Sequence, residues 1–178
     1  ASRTAYVDLT TGKVDIVPTP QEDLDRFLGG RGYAAALLYR MVAGPADPYA
    51  PEVPVIFTPG VLTGTSWPSS ARGTITFHSP ATGIYGYSNS SGHFWAALNQ
   101  AGYDALVVTG IAAEPCCLEV TPGGVRIVPA GGLWGKGTAD TIAALDEGGG
   151  KVACIGPAGE NRAKIAGLIV DGSRAAGR

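Results

Sequence analysis

The chain has 178 residues, of which 45% are apolar, so it suits one domain of ordinary size with a real core. Charged residues make up 16% and the formal net charge is −2, which argues against general electrostatic binding to nucleic acid or a membrane surface. No apolar run approaches the roughly 20 residues that span a bilayer. The three cysteines, Cys116, Cys117 and Cys154, have no zinc-type spacing, and so few of them fit a reducing compartment, so we expect a cytoplasmic protein.

The first predicted elements are a hairpin and a helix. Tyr6–Pro18 alternates around the turn signal Thr11-Gly12, which predicts two paired strands. Pro20–Leu28 then predicts a helix with Thr19 as its N-cap, Glu22 closing a capping box and Gly29 ending it. A second helix follows at Arg31–Val42, and then two strands at Val53–Gly60 and Arg72–Ser79. The rest of this half is a small-residue loop at Gly86–His93, a third helix at Ser91–Gln100 and a last strand at Asp104–Gly110.

The second half of the sequence repeats much of this order. Leu118–Pro129 matches Val7–Pro18 at six of twelve positions without a gap. In both halves the hairpin leads to a helix, an apolar strand containing glycine, a further strand and a loop of small residues. In the second half we place these elements at about Ala139–Glu147, capped by Thr138, and at Val152–Gly159, Ala163–Val170 and Ser173–Arg178.

This repetition predicts the fold class and the domain organisation. We expect an α+β fold in which duplicated hairpin–helix–strand units form two mostly antiparallel sheets about a pseudo-two-fold axis. Residues 1–178 would be a single domain with two similar halves, about 4–110 and 115–178, and the second half would lack the last helix and strand of the first. The equivalent loops at Ser88–Gly92 and Ser173–Gly177 would face each other across the axis.

The paired loops suit a ligand that carries phosphate groups. Arg72 and Arg174 lie beside them, and an arginine donates two parallel charge-assisted hydrogen bonds to a phosphate. Small residues allow close backbone approach, and successive N–H groups form anion-binding concavities. Mg²⁺ accepts carbonyl and phosphate oxygens together. The helix after Ser91 would also point its N-terminus towards an anion. The alternative from the residues alone is that both loops are simply turns.

Six ordered motifs give the chain a family resemblance. They are "LGGRGYAAALLY", "TPGVLTGTSWPSSARGTITFHSPATG", "SNSSGHFWAALNQAGYDALVVTG", "LWGKGTADT", "CIGPAGEN" and "DGSRAAGR". With them the chain, from about Tyr6 to Arg178, resembles the N-terminal domain of tungsten-containing aldehyde:ferredoxin oxidoreductases. The resemblance implies that this domain is the base for a tungstopterin, a bis-molybdopterin cofactor with tungsten or molybdenum. It also implies that a [4Fe–4S] cluster and a substrate channel belong to downstream domains absent from this chain.

The resemblance also implies roles for individual residues. Arg72, Arg174 and Gly177 match positions that contact the pterin cofactor. Asn89 and Ala175 match residues whose backbone carbonyls bind Mg²⁺ between the pterin phosphates. The family reads Asn-Ser-Gly-Gly where this chain has Asn89-Ser90-Ser91-Gly92, and Ser90 and Ser91 are expected cofactor contacts. No catalytic side chain is expected in this domain.

The implied activity belongs to the whole enzyme. It would oxidise an aldehyde with water to a carboxylic acid and pass two electrons to ferredoxin, with the metal held by pterin dithiolene sulfurs. Ferredoxin, the downstream domains and a second copy in a homodimer are the expected partners, with no nucleic acid and no membrane. The isolated chain is expected to be inactive. The alternatives are a stand-alone pterin- or phosphate-binding module, and a same-family enzyme with another substrate, such as an aromatic-ring reductase.

Overall fold

The computed structural model describes residues 2–146 and 149–177. The first half contains β1 Arg3–Asp8, β2 Lys13–Pro18, α1 Gln21–Phe27, α2 Gly30–Met41, β3 Val55–Pro59, β4 Arg72–His78, β5 Tyr85–Ser91, α3 His93–Gln100 and β6 Tyr103–Thr109. The second half contains β7 Cys116–Thr121, β8 Gly124–Pro129, a 3₁₀ turn at Gly131–Leu133, α4 Thr138–Asp146, β9 Ala153–Cys154, α5 Pro157–Glu160, β10 Leu168–Val170 and β11 Arg174–Ala176. None of the helices in these residues is long and apolar enough to cross a membrane.

The strands form one large sheet and two smaller ones. The six-stranded sheet has the order β2-β1-β6-β3-β4-β5, and all of its pairs are antiparallel except β1 with β6. The second half forms the hairpin β7-β8 and the antiparallel sheet β11-β10-β9. The predicted α+β class with antiparallel sheets is confirmed. The second half nevertheless forms two separate pieces rather than one sheet.

The two halves share a connectivity. In the first, β3, β4 and β5 are neighbours in that order and pair antiparallel; in the second, β9, β10 and β11 do the same. Each three-strand unit follows a hairpin and a helix along the chain. The division of the chain into two equivalent halves remains a prediction, and this shared order is the topology that such a duplication would produce.

The six-stranded sheet is covered on both faces. One face packs against α2 through a buried cluster of Tyr33, Ala34, Leu37, Leu38, Ile56, Ala105 and Val107. The other face carries the larger cluster, to which both halves contribute: Ala5, Val7, Ile75, Trp95, Leu98, Tyr103, Leu106, Val125, Val170 and Ala176. Burial on both faces explains why the central strand β6 reads as a nearly continuous apolar run.

The prediction that Ser88–Gly92 and Ser173–Gly177 are loops was wrong, because most of each segment is strand. Asn89, Ser90 and Ser91 lie in β5, and Arg174 and Ala175 lie in β11. Serine, asparagine and glycine have low strand propensity, so the sequence resembles a loop. Along β5, however, burial alternates, and β4 pairs with every residue from Tyr85 to Ser91. The hydrogen bonds to β4 therefore stabilise a strand here although the local sequence has low strand propensity.

The predicted cap of α1 was also wrong. The N-cap is Pro20, and none of the side chains that the structure describes caps the helix. The Thr19 hydroxyl is instead buried within hydrogen-bond distance of the Thr4 hydroxyl, at 3.0 Å. At the other end Leu28 adopts the left-handed conformation with φ 63°, and Gly29 follows outside the helix.

The later strands are shorter than predicted. β9 and β10 are each shorter than the apolar segment in which a strand was predicted. Within the described residues β9 has β10 as its one neighbouring strand. The Gly156-Pro157 step starts the short helix α5, with proline at its first turn, and a turn from Ala163 to Ala166 delays β10. Glu147 and Arg178, where two predicted elements end, lie outside the described residues.

Gly73 of β4 lies directly against the buried Trp95 ring, and this yields a first prediction. A Cβ at Gly73 would lie 2.1 Å from two atoms of the Trp95 indole, which is fully buried. We expect Gly73→Ala to lower the free energy of unfolding by about 1–3 kcal/mol, because the ring must move out of a packed core. Gly131→Ala is the control, since its Cβ would meet nothing within 4 Å. Equal denaturant midpoints for the two variants would contradict the expectation.

An ion pair between α1 and α2 yields a second prediction. Arg40 donates to both carboxylate oxygens of Asp23, at 2.8 and 2.5 Å, and Asp23 is only 6% exposed. Chiefly through these hydrogen bonds, Arg40 holds the pKa of the Asp23 carboxyl below its usual value. A lowered folded-state pKa contributes stability above the unfolded pKa of about 3.9, and this contribution is lost as the pH falls further.

We therefore expect Asp23→Asn to cost about 1–2 kcal/mol at pH 7, where the carboxylate is charged, and progressively less below about pH 4. Chemical denaturation of both proteins from pH 3 to 7 measures the difference. Asp25→Asn, which changes an exposed carboxylate on the same helix, is the control. A stability difference for Asp23→Asn that stays constant over this pH range would contradict the linkage.

Candidate functional site

Two edge strands, one from each half, meet on the surface of the domain. β5 is the last strand of the six-stranded sheet and β11 is an outer strand of the three-stranded sheet. The Ser88 hydroxyl of β5 donates a hydrogen bond to the carbonyl of Gly177, which follows β11. Among residues 2–146 and 149–177 each of the two strands pairs on one side only, so both present backbone N–H and C=O groups that their own ladders do not use.

A depression of about 300 Å³ lies where these edges meet. Its walls are formed by Arg72, Asn89, Ser90, Ser91, Ser173, Arg174 and Ala175. The structure therefore brings together every predicted contact residue except Gly177, which lines a different cavity. Ser173 was not predicted. Its signal was the repeat itself, since Ser173 begins "SRAAG" as Ser88 begins "SNSSG".

The depression carries two positive charges and no acidic lining residue. Arg72 and Arg174 are both exposed at the surface. Within residues 2–146 and 149–177 neither guanidinium takes part in a salt bridge, whereas Arg26, Arg40 and Arg126 each pair with a carboxylate. An arginine pair without carboxylate partners favours an anionic ligand that can accept forked hydrogen bonds.

The backbone of Arg72 is held firmly although its side chain is exposed. Its carbonyl accepts hydrogen bonds from the Gly60 amide, at 2.8 Å, and from the Thr63 hydroxyl. Across the sheet Arg72 pairs with Ser91. The start of β4 is therefore fixed by a loop on one side and by β5 on the other, so the guanidinium projects from a defined point at the rim.

Two polar side chains of β5 already form hydrogen bonds within the domain, so mainly the backbone of β5 is available to a ligand in the depression. The Asn89 side-chain carbonyl accepts a hydrogen bond from the Thr74 hydroxyl, at 2.8 Å. The Ser90 hydroxyl accepts one from the Trp95 indole N–H, at 2.9 Å, and Ser90 is buried. Ser91 lies in the strand, where an extended backbone needs no glycine. A serine therefore fits at the position where the resembled family has glycine.

A carboxylate already lies at the N-terminus of α3. The Phe94 amide donates to Asp171 Oδ2 at 3.0 Å, and a Cβ at Gly92 would lie 2.6 Å from that oxygen. This contact joins the turn before β11 to the first helix after β5. The sequence predicts that this helix points its N-terminus towards an anion, and in the structure the Asp171 carboxylate accepts one of its first amides. Recognition of an anion in the depression therefore depends on the arginines and the strand edges.

Similarity to known proteins indicates the family of this chain. A family model described as "Aldehyde ferredoxin oxidoreductase, N-terminal domain" matches residues 4–178. The tungsten-containing aldehyde ferredoxin oxidoreductases of Thermococcus kodakarensis and Pyrococcus furiosus are 43% and 40% identical over 97% of this chain. A subunit of P. furiosus named "Aliphatic sulfonate oxidoreductase, WOR-like subunit" is 31% identical over 74% of the chain and covers 21% of that subunit.

A solved structure is also similar. It is the active-site complex BamBC of benzoyl coenzyme A reductase with 1,5-dienoyl-CoA, which matches with a TM-score of 0.94 and 33% identity over 99% of this chain and 27% of that chain. The chain spans 29% of the length of the two tungsten-containing relatives. The resemblance seen in the six motifs is thus confirmed, and the chain belongs to the aldehyde ferredoxin oxidoreductase family, whose N-terminal domain it matches.

Proposed function

We propose that this domain holds the phosphate ends of a tungstopterin in the depression between β5 and β11. The observation that carries the proposal is the meeting of two strand edges, one from each half, each beside an arginine that forms no salt bridge within residues 2–146 and 149–177. A cofactor with two pterins has two phosphate ends, so it suits a site that presents similar groups twice. The names of the tungsten-containing relatives support tungsten as the metal.

Each residue of the depression would contribute a distinct interaction. Arg72 and Arg174 would donate forked hydrogen bonds to phosphate oxygens. The backbone carbonyls of Asn89 and Ala175, on the two facing edges, would bind a Mg²⁺ between the phosphates, as this hard cation favours oxygen ligands. Ser90 and Ser91 would contribute backbone groups, and Gly177 would border the site. The bound tungsten or molybdenum, held by pterin sulfurs, would supply the two-electron chemistry.

We also propose an activity for a longer protein that contains this chain as its N-terminal domain, called the longer protein below. It would oxidise an aldehyde to a carboxylic acid with ferredoxin as electron acceptor. The [4Fe–4S] cluster and the substrate channel would belong to other parts of that polypeptide, and the enzyme would act in the cytoplasm, as a homodimer. The support is the family, together with 43% identity to an enzyme of that name.

A second candidate is reduction of an aromatic ring. It is favoured by the TM-score of 0.94 to a benzoyl coenzyme A reductase, at 33% identity. The lining of the depression does not distinguish the two reactions, because it would hold the cofactor and not the substrate. Activity assays of the longer protein with aldehydes and with aromatic thioesters distinguish them. A protein that binds pterin but turns over neither substrate would instead support the binding-module alternative.

Cofactor retention tests the proposed site directly. In the longer protein we expect Arg72→Ala and Arg174→Ala each to lower tungsten and pterin content about tenfold or more, since a hydrogen bond to a charged group contributes about 1.5–3 kcal/mol. Elemental analysis and the fluorescence of oxidised pterin measure this content. Arg126→Ala is the control, because Arg126 pairs with Glu119 on an exposed hairpin. Full occupancy in both site variants, with unchanged thermal stability, would exclude the depression as the cofactor site.

The chain by itself is expected to lack aldehyde oxidation. Its three cysteines fall short of the four thiolates that hold a [4Fe–4S] cluster, so it has no route for electrons to ferredoxin. A viologen-linked aldehyde assay on the purified chain, beside the longer protein prepared in the same way, measures this. Turnover by the isolated chain would show that this domain carries the chemistry itself.

A further inference from the structure

The rim loop, Gly60–Ala71, connects β3 to β4 and leads directly into Arg72. Its two ends are joined, since the Gly60 amide donates to the Arg72 carbonyl at 2.8 Å. The Thr63 amide donates back to the Gly60 carbonyl at 2.9 Å and closes the first turn of the loop. Compact surface loops whose ends meet in this way frequently carry function. The position of Arg72 at the edge of the depression therefore depends on how this loop is held.

Local backbone preferences do little to hold the rim loop in its shape. Gly64 has a φ of 82°, which glycine adopts freely and which therefore does not restrain the chain. Ser69 has a φ of 60°, in a region that residues with a side chain rarely adopt, and it is exposed. Contacts with the rest of the domain must therefore determine the conformation of this loop.

Thr63 is the internal anchor of the rim loop. It is buried, and its hydroxyl lies within hydrogen-bond distance of the Ser70 carbonyl, at 2.7 Å, and of the Arg72 carbonyl. A threonine hydroxyl has one hydrogen, so the two carbonyls share it. Thr63 thus ties the first part of the loop to its last residues, and a shift of Thr63 would move the backbone of Arg72.

Asn99 of α3 holds this anchor from outside the loop. Its side-chain amide donates a hydrogen bond to the Thr63 carbonyl. Within residues 2–146 and 149–177 no other side chain from outside the rim loop hydrogen-bonds to it. A Cβ on Gly64 would lie 3.3 Å from Asn99 Nδ2 and 3.4 Å from the Ala96 carbonyl oxygen. The loop backbone therefore packs directly on α3 at the point where Asn99 donates.

Helix α3 contacts each of the three segments that line the depression. The Phe94 amide at its start donates to Asp171, in the turn before β11. Trp95 donates its indole N–H to Ser90 of β5. Asn99 lies one turn after Trp95, hence on the same side of the helix, and holds the rim loop. One helix therefore sets the positions of both strand edges and of the loop before β4 relative to one another.

We propose that Asn99 is a positioning residue for the anion site. By donating to the Thr63 carbonyl it fixes the rim loop, and with it the backbone of Arg72, so that the guanidinium reaches a phosphate group of the ligand. Asn99 does not line the depression and would act only through Arg72. The inference rests on the proposed function of the depression, to which it adds a residue outside the lining.

The contact requires a neutral donor. A carbonyl oxygen only accepts hydrogen bonds, and an asparagine amide supplies N–H donors without adding a charge. An aspartate of the same shape would place a negative charge against that oxygen and near a site for an anion, so it is unsuitable as a test. Asn99→Ala removes the donor, and it does not weaken α3, because alanine has the highest helix propensity. Asn99→Gln keeps the amide.

Hydrogen exchange in the longer protein tests the contact itself. We expect the Gly60 amide, which is bonded to the Arg72 carbonyl, to exchange at least tenfold faster in Asn99→Ala, and Asn99→Gln to restore most of the protection. Gln100→Ala is the matched control, since Gln100 is the next residue of α3, carries the same amide group and is exposed. Unchanged exchange of Gly60 in Asn99→Ala, or an equal rise in Gln100→Ala, would overturn the proposal.

A double-mutant cycle distinguishes the positioning of Arg72 from a general loss of stability. We expect Asn99→Ala to lower the pterin and tungsten content of the longer protein about threefold or more, and to cause no further loss when Arg72→Ala is already present. In an Arg174→Ala background we expect the full additional loss, because Arg174 is not held by the rim loop. Equal additional losses in both arginine backgrounds would contradict a role through Arg72.

The two measurements separate this inference from the proposed function. Full cofactor content in Asn99→Ala, together with a loss in Arg72→Ala, would overturn the positioning role alone. Full content in both variants, with faster Gly60 exchange in Asn99→Ala, would overturn the cofactor site and with it the role of Asn99 in anion binding. If Asn99→Ala does not fold, Asn99→Leu, which also lacks a donor but fills more of the space, replaces it in both measurements.

Discussion

The site depends on the contact between Trp95 and β4. The indole packs so closely on Gly73 that no side chain fits there, and its N–H donates to Ser90 on the neighbouring strand. One buried ring therefore fixes two adjacent strands, and both lead directly to the rim of the depression: Gly73 follows Arg72, and Ser90 lies between Asn89 and Ser91. Because a packed aromatic core resists small displacements, the backbone of the rim residues has a defined position.

The depression brings together arginine side chains and strand edges from both halves of the domain, and neither half provides all of these groups alone. β5 contributes the edge beside Arg72, and β11 contributes the edge with Arg174. The guanidinium groups of Arg72 and Arg174 are exposed, and the strands that carry them are held by hydrogen bonds to a neighbouring strand. A ligand would therefore contact polar groups whose positions change little on binding. Such preorganisation suits the tight and permanent holding of a cofactor better than the rapid exchange of a substrate.

The sequence predicted the order of the elements and the repeat, because these follow from hydrophobic period and turn residues. The paired segments beside two arginines pointed to an anionic ligand, whereas the individual lining residues were expected from the family resemblance. The prediction failed where tertiary contacts outweigh local propensity. Ser88 and Ser90 look like loop residues but complete a ladder with β4, and Thr19 hydrogen-bonds to Thr4 instead of capping α1. Asp171 at the α3 N-terminus could not be predicted, since the two groups are far apart in sequence and no local pattern links them.

The contact between Asp171 and the Phe94 amide also constrains the order of folding. It closes a chain separation of 77 residues, so α3 can form early, but its Phe94 amide has only water as a partner until the turn before β11 arrives. During synthesis the first half would therefore emerge with its helix end open to water for as long as the next residues take to be made. Strand β11 begins at Arg174, after Gly172 and Ser173, so the contact that brings Asp171 to the helix also brings the second strand edge towards the first. Assembly of the depression is thereby a late step of folding, and chains arrested before it would lack the edge that β11 contributes.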